Sequence, residues 1–127
     1  MIKNEILIAE DDSIIALDLR NYLENLGYTI SGTVCKGEDL LVKAKITKPG
    51  LIISDINLKG ELDGIEAIAR LSEKISIPFI FVTAYDDYKR VVEIYNLEPL
   101  AFLRKPINYS ELSDCVNKLF IEHTSYT

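Results

Sequence analysis

The chain has 127 residues, 48% of them hydrophobic and 27% charged; that suits one well-buried core and excludes a disordered chain. A formal net charge of −6 excludes a general nucleic-acid surface, because phosphate contacts need clustered Lys and Arg. The opening MIKNEILIAEDD runs into acids unlike a signal peptide, and no apolar run approaches the roughly 18 residues of a membrane span, so the expected compartment is the cytoplasm.

Apolar runs and helical spacings then alternate five times along the chain. The first strand is expected over residues 5–9, where EILIA leads into Glu10-Asp11-Asp12. Ile15, Leu19, Tyr22, Leu23 and Leu26 follow at helical spacing and stop at Gly27. A second strand is expected at 29–34, then a helix carrying Leu40, Leu41, Ala44 and Ile46 that ends at Pro49-Gly50. Lys43, Lys45 and Lys48 cluster there and read as a solvated helix end. The third strand, 51–54, delivers Asp55 at its end, and Ile65, Ile68, Ala69 and Leu71 mark a third helix. The fourth strand is expected at 78–82, before Thr83-Ala84, with Val91, Val92, Ile94 and Tyr95 on the helix after it. The fifth strand, 100–103, ends in Arg104-Lys105-Pro106, and Leu112, Cys115, Val116, Leu119 and Phe120 form the last helical stripe.

Five strand-then-helix units in so short a chain imply an α/β fold, a doubly wound five-stranded parallel sheet with helices on both faces. Short apolar strands such as ILIA, LII and FIFV suit a sheet buried on both sides. Right-handed crossovers leave the flavodoxin-like (βα)5 order 2-1-3-4-5 as the expected topology. The whole of residues 1–127 is read as one domain, with a core over about 4–121 and a frayed HTSYT tail.

In such sheets ligands gather beyond the carboxyl ends of the strands. Strands 1 and 3 are neighbours in this order, so Glu10, Asp11 and Asp55 should converge. Their mutual repulsion calls for a positive partner, and a hard divalent cation with oxygen ligands, Mg²⁺ or Mn²⁺, is the economical one. Lys105 can reach across from strand 5 as a point charge, and Thr83 offers a hydroxyl from strand 4. A carboxylate nucleophile, a metal, an ammonium and a hydroxyl around one point suit phosphoryl transfer. Taken singly, Asp55 reads as a turn or cap aspartate, Thr83 as a strand residue and Lys105 as a surface lysine. Coincidence at four strand ends favours the chemical reading.

ILIAEDD, SDINLKGELDGIEAI, FIFVTA and AFLRKPI stand in the order and spacing that resembles the receiver domain of two-component response regulators, over about residues 4–121. The resemblance implies that Asp55 is a phosphoacceptor, charged by a histidine kinase or a phosphotransfer protein. It implies that Asp11 binds Mg²⁺ directly, Glu10 through water, and Asn57 through its backbone carbonyl. Thr83 matches the switch hydroxyl, Lys105 the lysine that pairs with the phosphoryl group, and Phe102 the aromatic switch. Lys105-Pro106 would be a cis peptide. Phosphorylation would reshape the face made by helix 4, strand 5 and helix 5, through which an output domain or a partner would engage; a homodimer is a further expected partner. No turnover enzyme is implied, only self-phosphorylation and self-dephosphorylation. The loop NLKGELDG is longer than the commoner Pro-containing version; Gly60 and Asp63-Gly64 suggest a tight turn there, with Asp63 as N-cap of helix 3. With Glu10-Asp11 as the acidic pair, Asp12 falls to the N-cap of helix 1.

Other readings use the same residues. A Mg²⁺-dependent phosphatase of the haloacid-dehalogenase type needs an Asp two residues after the nucleophile, where this chain has Asn57, and the DxD of a Toprim-type nuclease fails at the same position. A flavodoxin-like cofactor binder needs a phosphate loop after strand 1, which EDDS would repel. A phosphorylation-independent pseudo-receiver is the remaining alternative. Cys35 and Cys115 lack CxxC or metal-type spacing and read as reduced thiols. His123, the single histidine, reads as structural or exposed, and Tyr85, Tyr88 and Tyr95 as packing residues or as part of a partner surface.

Overall fold

The computed structural model describes residues 4–84 and 88–124. Strands and helices alternate: β1 (Glu5–Ala9), α1 (Ser13–Asn25), β2 (Thr29–Val34), α2 (Gly37–Thr47), β3 (Leu51–Asp55), α3 (Gly64–Ser72), β4 (Phe79–Thr83), α4 (Tyr88–Ile94), β5 (Ala101–Arg104) and α5 (Tyr109–Thr124). The sheet has the order β2-β1-β3-β4-β5 and every pairing is parallel, as the sequence pattern led us to expect. Among the described residues no helix is long and apolar enough to cross a membrane.

Both sheet faces are covered, which is why the strands are apolar without alternation. Successive side chains point to opposite faces. Ile6, Ile8, Ile53, Ile80, Val82 and Leu103 therefore meet Leu19 and Leu23 of α1 and Leu112, Val116, Leu119 and Phe120 of α5. Leu7, Ala9, Ile52, Phe79 and Phe81 meet Leu40 and Ala44 of α2, Ile65, Ile68 and Leu71 of α3, and Val92 of α4.

Three strands run one residue further than apolar spacing suggested. Pro78 has no N–H to donate and contributes only its carbonyl, which accepts from the Ile52 amide at 3.0 Å. The ladder of β4 thus begins at Phe79 and closes on Thr83, paired with Arg104. Asp55 is likewise the last rung of β3, opposite Val82. The polar residues at these ends are held by sheet pairing and do not ride on loops.

Helix ends follow local chemistry. Asp12 caps α1 by accepting from the Ile14 and Ile15 amides at 2.9 and 3.1 Å, and Asp63 caps α3 by accepting from Glu66 at 2.8 Å. α1 stops at Gly27, whose φ of +96° lets its amide reach the Glu24 carbonyl while Tyr28 reaches Leu23, a Schellman closure. Asn96, at φ +56°, closes α4 in the same way on Glu93 and Val92. Four apolar residues assigned to buried stripes lie outside: Leu26, Ile46, Ile94 and Tyr95 are exposed. Leu26 and Tyr95 fall past the last helical residue. Ile46 and Ile94 each sit two positions, about 200° of turn, beyond a buried residue. Lys43 is not wholly solvated either; its stem lies over Gly32 on the edge strand. α5 extends to Thr124, past the expected core limit. Tyr85, the side chains of Tyr88 and His123, and residues 125–127 lie outside the described residues.

Candidate functional site

β1 and β3 are adjacent and in register, with Ala9 opposite Ser54, so the next residues, Glu10 and Asp55, emerge side by side. Both are buried, at 3% and 5% exposure. The Glu10 amide extends the β1–β2 ladder to the Val34 carbonyl at 2.9 Å, and its Oε2 accepts from the Asp12 amide at 3.1 Å. Asp55 Oδ1 accepts from the Asn57 amide at 3.0 Å, a local turn that fixes the carboxylate plane. The Ser54 hydroxyl donates to the Asp55 carbonyl at 2.8 Å.

Lys105 reaches this pair from beyond β5. Its amide is tied to the Thr83 carbonyl at 2.8 Å, and the Lys105-Pro106 peptide is cis, as the resemblance implied. Its Nζ lies 2.7 Å from Asp55 Oδ2 and 2.8 Å from Glu10 Oε1. Carboxylate oxygens of Glu10, Asp11 and Asp55 fall within 4.8 Å of one another. One ammonium among three carboxylates leaves the cluster short of positive charge. Burial pushes the Glu10 carboxyl up to about 7, against hydrogen bonds from Lys105 and the Asp12 amide, and the Asp55 charge adds to the rise. Burial alone would lower the Lys105 pKa, but its hydrogen bonds to Asp55 and Glu10 prevail and raise it. An oxygen-rich, partly buried, net-negative pocket is the donor set that hard divalent cations take.

The structure thus brings together Glu10, Asp11, Asp55 and Lys105, with Asn57 joined through its backbone. Thr83 is buried at 2% exposure at the end of the strand beside β3. Phe102 shares its sheet face: its ring is 5.7 Å from that of Phe81, the register partner two residues before Thr83. Lys89 Nζ stands 6.0 Å from the Phe102 ring centroid, a neighbour that sequence spacing gave no reason to single out.

The segment after β3 was expected to turn tightly at Gly60 and at Asp63-Gly64. Gly60 does so, with φ +92°. Gly64 is the first residue of α3, as an N-cap at Asp63 requires, and a Cβ there would lie 2.2 Å from the Asp55 carbonyl oxygen. Its amide donates to the Ile56 carbonyl at 2.8 Å, so α3 starts directly against the base of the Asp55 strand. Glu38 was not singled out at all, yet its Oε1 accepts from the Leu62 amide at 3.0 Å. A glutamate in the first turn of a helix carries no sequence signal for a contact 24 residues away.

Residues 6–117 match the response regulator receiver domain family. The chain is 32% identical over 123 residues to the phyllosphere-induced regulator PhyR of Methylorubrum extorquens, covering 95% of this chain and 45% of that protein. It is 32% identical over 111 residues to the transcriptional regulatory protein PdtaR of Mycobacterium tuberculosis, covering 87% of this chain and 54% of that one. The chain therefore spans about half the length of these curated relatives. Among solved structures, the signal receiver domain of a modulated diguanylate cyclase from Desulfovibrio desulfuricans G20 superposes with a TM-score of 0.83 at 30% identity, covering 97% of this chain and 98% of that one. The anti-anti-sigma factor PhyR of Bartonella quintana superposes with a TM-score of 0.77 at 29% identity, covering 99% of this chain and 51% of that one.

Proposed function

The chain belongs to the response regulator receiver domain family, and on that premise we propose that Asp55 is its phosphoacceptor, charged by a histidine kinase or a phosphotransfer protein. The observation that carries this reading is the placement of the Lys105 ammonium 2.7 Å from Asp55 Oδ2 inside a cluster of three carboxylates. A structural aspartate does not require two further acids and a lysine converging on it from two other strands.

The residues fit the divalent cation that the family implies, because three carboxylates outnumber the single Lys105 ammonium and the acidic cluster presents oxygen ligand atoms. Asp11, Asp55 and the Asn57 carbonyl would hold Mg²⁺ or Mn²⁺ directly and Glu10 through water. When bound, the ion supplies charge neutralisation at the phosphoryl oxygens. The chain's own groups do the rest. The Asn57 amide and Lys105 hold the Asp55 carboxylate in one orientation, ready for in-line attack on a phosphohistidine. One O–P bond forms, the P–N bond breaks, and the imidazole leaves with the bonding pair and takes up a proton. Lys105 stays beside the transferred group as its counter-charge, and water later cleaves the acyl phosphate. The chemistry is confined to the chain's own phosphorylation and dephosphorylation.

Thr83 then donates its hydroxyl to the phosphoryl group and moves inward, and Phe102 fills the space it leaves. The two share the sheet face under α4, so the shift reshapes the α4–β5–α5 surface and biases a two-state equilibrium. That surface is where an output domain, a protein partner or a second copy would engage. Beryllofluoride with Mg²⁺ tests the reading by ¹⁹F NMR. Wild-type protein should show a bound resonance and Asp55→Ala none; equal signals from the two proteins would sink the proposal.

A further inference from the structure

The loop between β3 and α3 does not project freely. Lys59 pairs with Lys36 as an isolated parallel bridge: its amide donates to the Cys35 carbonyl at 3.1 Å, and its carbonyl accepts from the Gly37 amide at 3.4 Å. Because β1 lies between β2 and β3 in the sheet, this bridge carries the loop across to the end of β2. There it meets an unusual helix start. Lys36, at the N-cap of α2, makes no side-chain capping bond, and the loop's Lys59 carbonyl takes the first amide of the helix instead.

The exchange is reciprocal. Glu38, in the first turn of α2, accepts from the loop's Leu62 amide at 3.0 Å. That bond, with others from its own amide and from the Glu61 amide, holds its carboxyl below the usual range. The contact is close-packed on both sides. A Cβ on Gly60 would stand 2.5 Å from both Glu38 carboxylate oxygens, and one on Gly37 would stand 2.2 Å from the Leu62 carbonyl oxygen. The base of the loop is closed by the Gly64 amide on the Ile56 carbonyl at 2.8 Å. Between the closed base and the anchored tip lies Asn57, whose amide already binds Asp55 Oδ1.

We infer that Glu38 is a positioning residue for the metal site: by gathering the tip amides of the 57–63 loop onto α2, it fixes the Asn57 backbone beside Asp55. This rests on the reading of the site as a divalent-cation pocket. It assigns Glu38 no contact with metal or phosphoryl group; it acts through the peptide chain alone, as outer partners of metal ligands do. The carboxylate charge is secondary to its acceptor geometry, so the amide side chain of Gln, which keeps a carbonyl acceptor, substitutes for it.

The test is Mg²⁺ alone, titrated by calorimetry into wild type, Glu38→Ala and Glu38→Gln, with Asp55→Ala as the site control. Glu38→Ala should bind Mg²⁺ about tenfold more weakly while Glu38→Gln stays within about twofold of wild type. A residue that only braces the fold would lower stability in Glu38→Ala and leave Mg²⁺ affinity unchanged in both variants, and that result overturns the inference. Linkage supplies a check on the unmodified chain, valid even where Glu38→Ala fails to fold. If the anchored loop favours Mg²⁺, then Mg²⁺ must favour the anchored loop. Hydrogen exchange at the Leu62 amide should slow at least about threefold on adding Mg²⁺; unchanged exchange contradicts the proposal. Loss of Mg²⁺ binding in wild type itself, or binding indifferent to Asp55→Ala, instead defeats the metal-site reading and the inference with it.

Discussion

Glu10 and Lys105 show how a few side chains set the character of the pocket. Burial pushes the Glu10 carboxyl up to about 7, above its ordinary value of 4.5. The folded protein therefore keeps a proton between those values that the unfolded chain has released. The group's contribution to stability is fully present below about pH 4.5 and is lost as pH rises through about 7. Glu10→Gln removes that loss, so its melting temperature should rise relative to wild type on going from acid to alkaline buffer. A divalent cation bound at this cluster would compete with the same proton. Calorimetry in buffers of different ionisation enthalpy should find about one proton released per Mg²⁺ near pH 6, and close to none near pH 8.5. Glu10→Gln should release none at either pH. Lys105 is less replaceable: Lys105→Ala leaves Asp55 and Glu10 facing each other without their shared partner at 2.7 and 2.8 Å. Phosphorylation from a small-molecule donor should fall by at least about a hundredfold, the scale of a lost electrostatic donor.

At the scale of the elements, two glycines make separate demands that substitution can tell apart. Gly27 sits at φ +96° with nothing near its missing Cβ, so Gly27→Ala costs only backbone strain, about 1 kcal/mol. Gly64 has an ordinary φ, but a Cβ there would collide with the Asp55 carbonyl at 2.2 Å. That carbonyl is also fixed by the Ser54 hydroxyl, so the start of α3 must move and the cost rises to about 3 kcal/mol. Urea unfolding of the two variants checks both values. Gly64→Ala should in addition weaken Mg²⁺ binding, because the start of α3 that moves is tied by the Gly64 amide to the Ile56 carbonyl, between Asp55 and Asn57, whereas Gly27→Ala should leave it intact. The N-caps are simpler: Asp12→Ala and Asp63→Ala each remove amide partners at 2.8 to 3.1 Å and should cost about 1 kcal/mol.

For the whole molecule, the architecture was legible because burial on both faces leaves a plain signature. ILIA, LII and FIFV alternating with helical stripes suit a sheet covered on both faces, and turn chemistry at Gly27 and Pro49-Gly50 divided the helices correctly. The cluster of Glu10, Asp11, Asp55 and Lys105 was legible too, since strand order alone brings those ends together. What the sequence could not express was contact between distant loops. Glu38 reads as a favourable charge at a helix start, and only the folded chain shows it holding Leu62. Gly64 reads as a turn glycine until the Asp55 carbonyl is seen beneath it. Periodicity also overreached where helices ended: Ile46 and Ile94 continued an apolar pattern but turned to solvent. The same connectivity links the pocket to the surface, since Thr83 and Phe102 lie under α4 on one sheet face. Occupation of Asp55 should therefore shift the amide resonances of Thr83, Phe102 and α4 together, and those of α2 below the Glu38 contact far less.

The central claim is chemical, and the most direct test is to find the bond it requires. Wild-type protein incubated with Mg²⁺ and acetyl phosphate should acquire one hydroxylamine-labile phosphoryl group, and peptide mapping should place it on Asp55. Omitting Mg²⁺, or substituting Asp55→Ala, should abolish it. A stable adduct on a hydroxyl residue, or none in wild-type protein under the same conditions, would contradict the account.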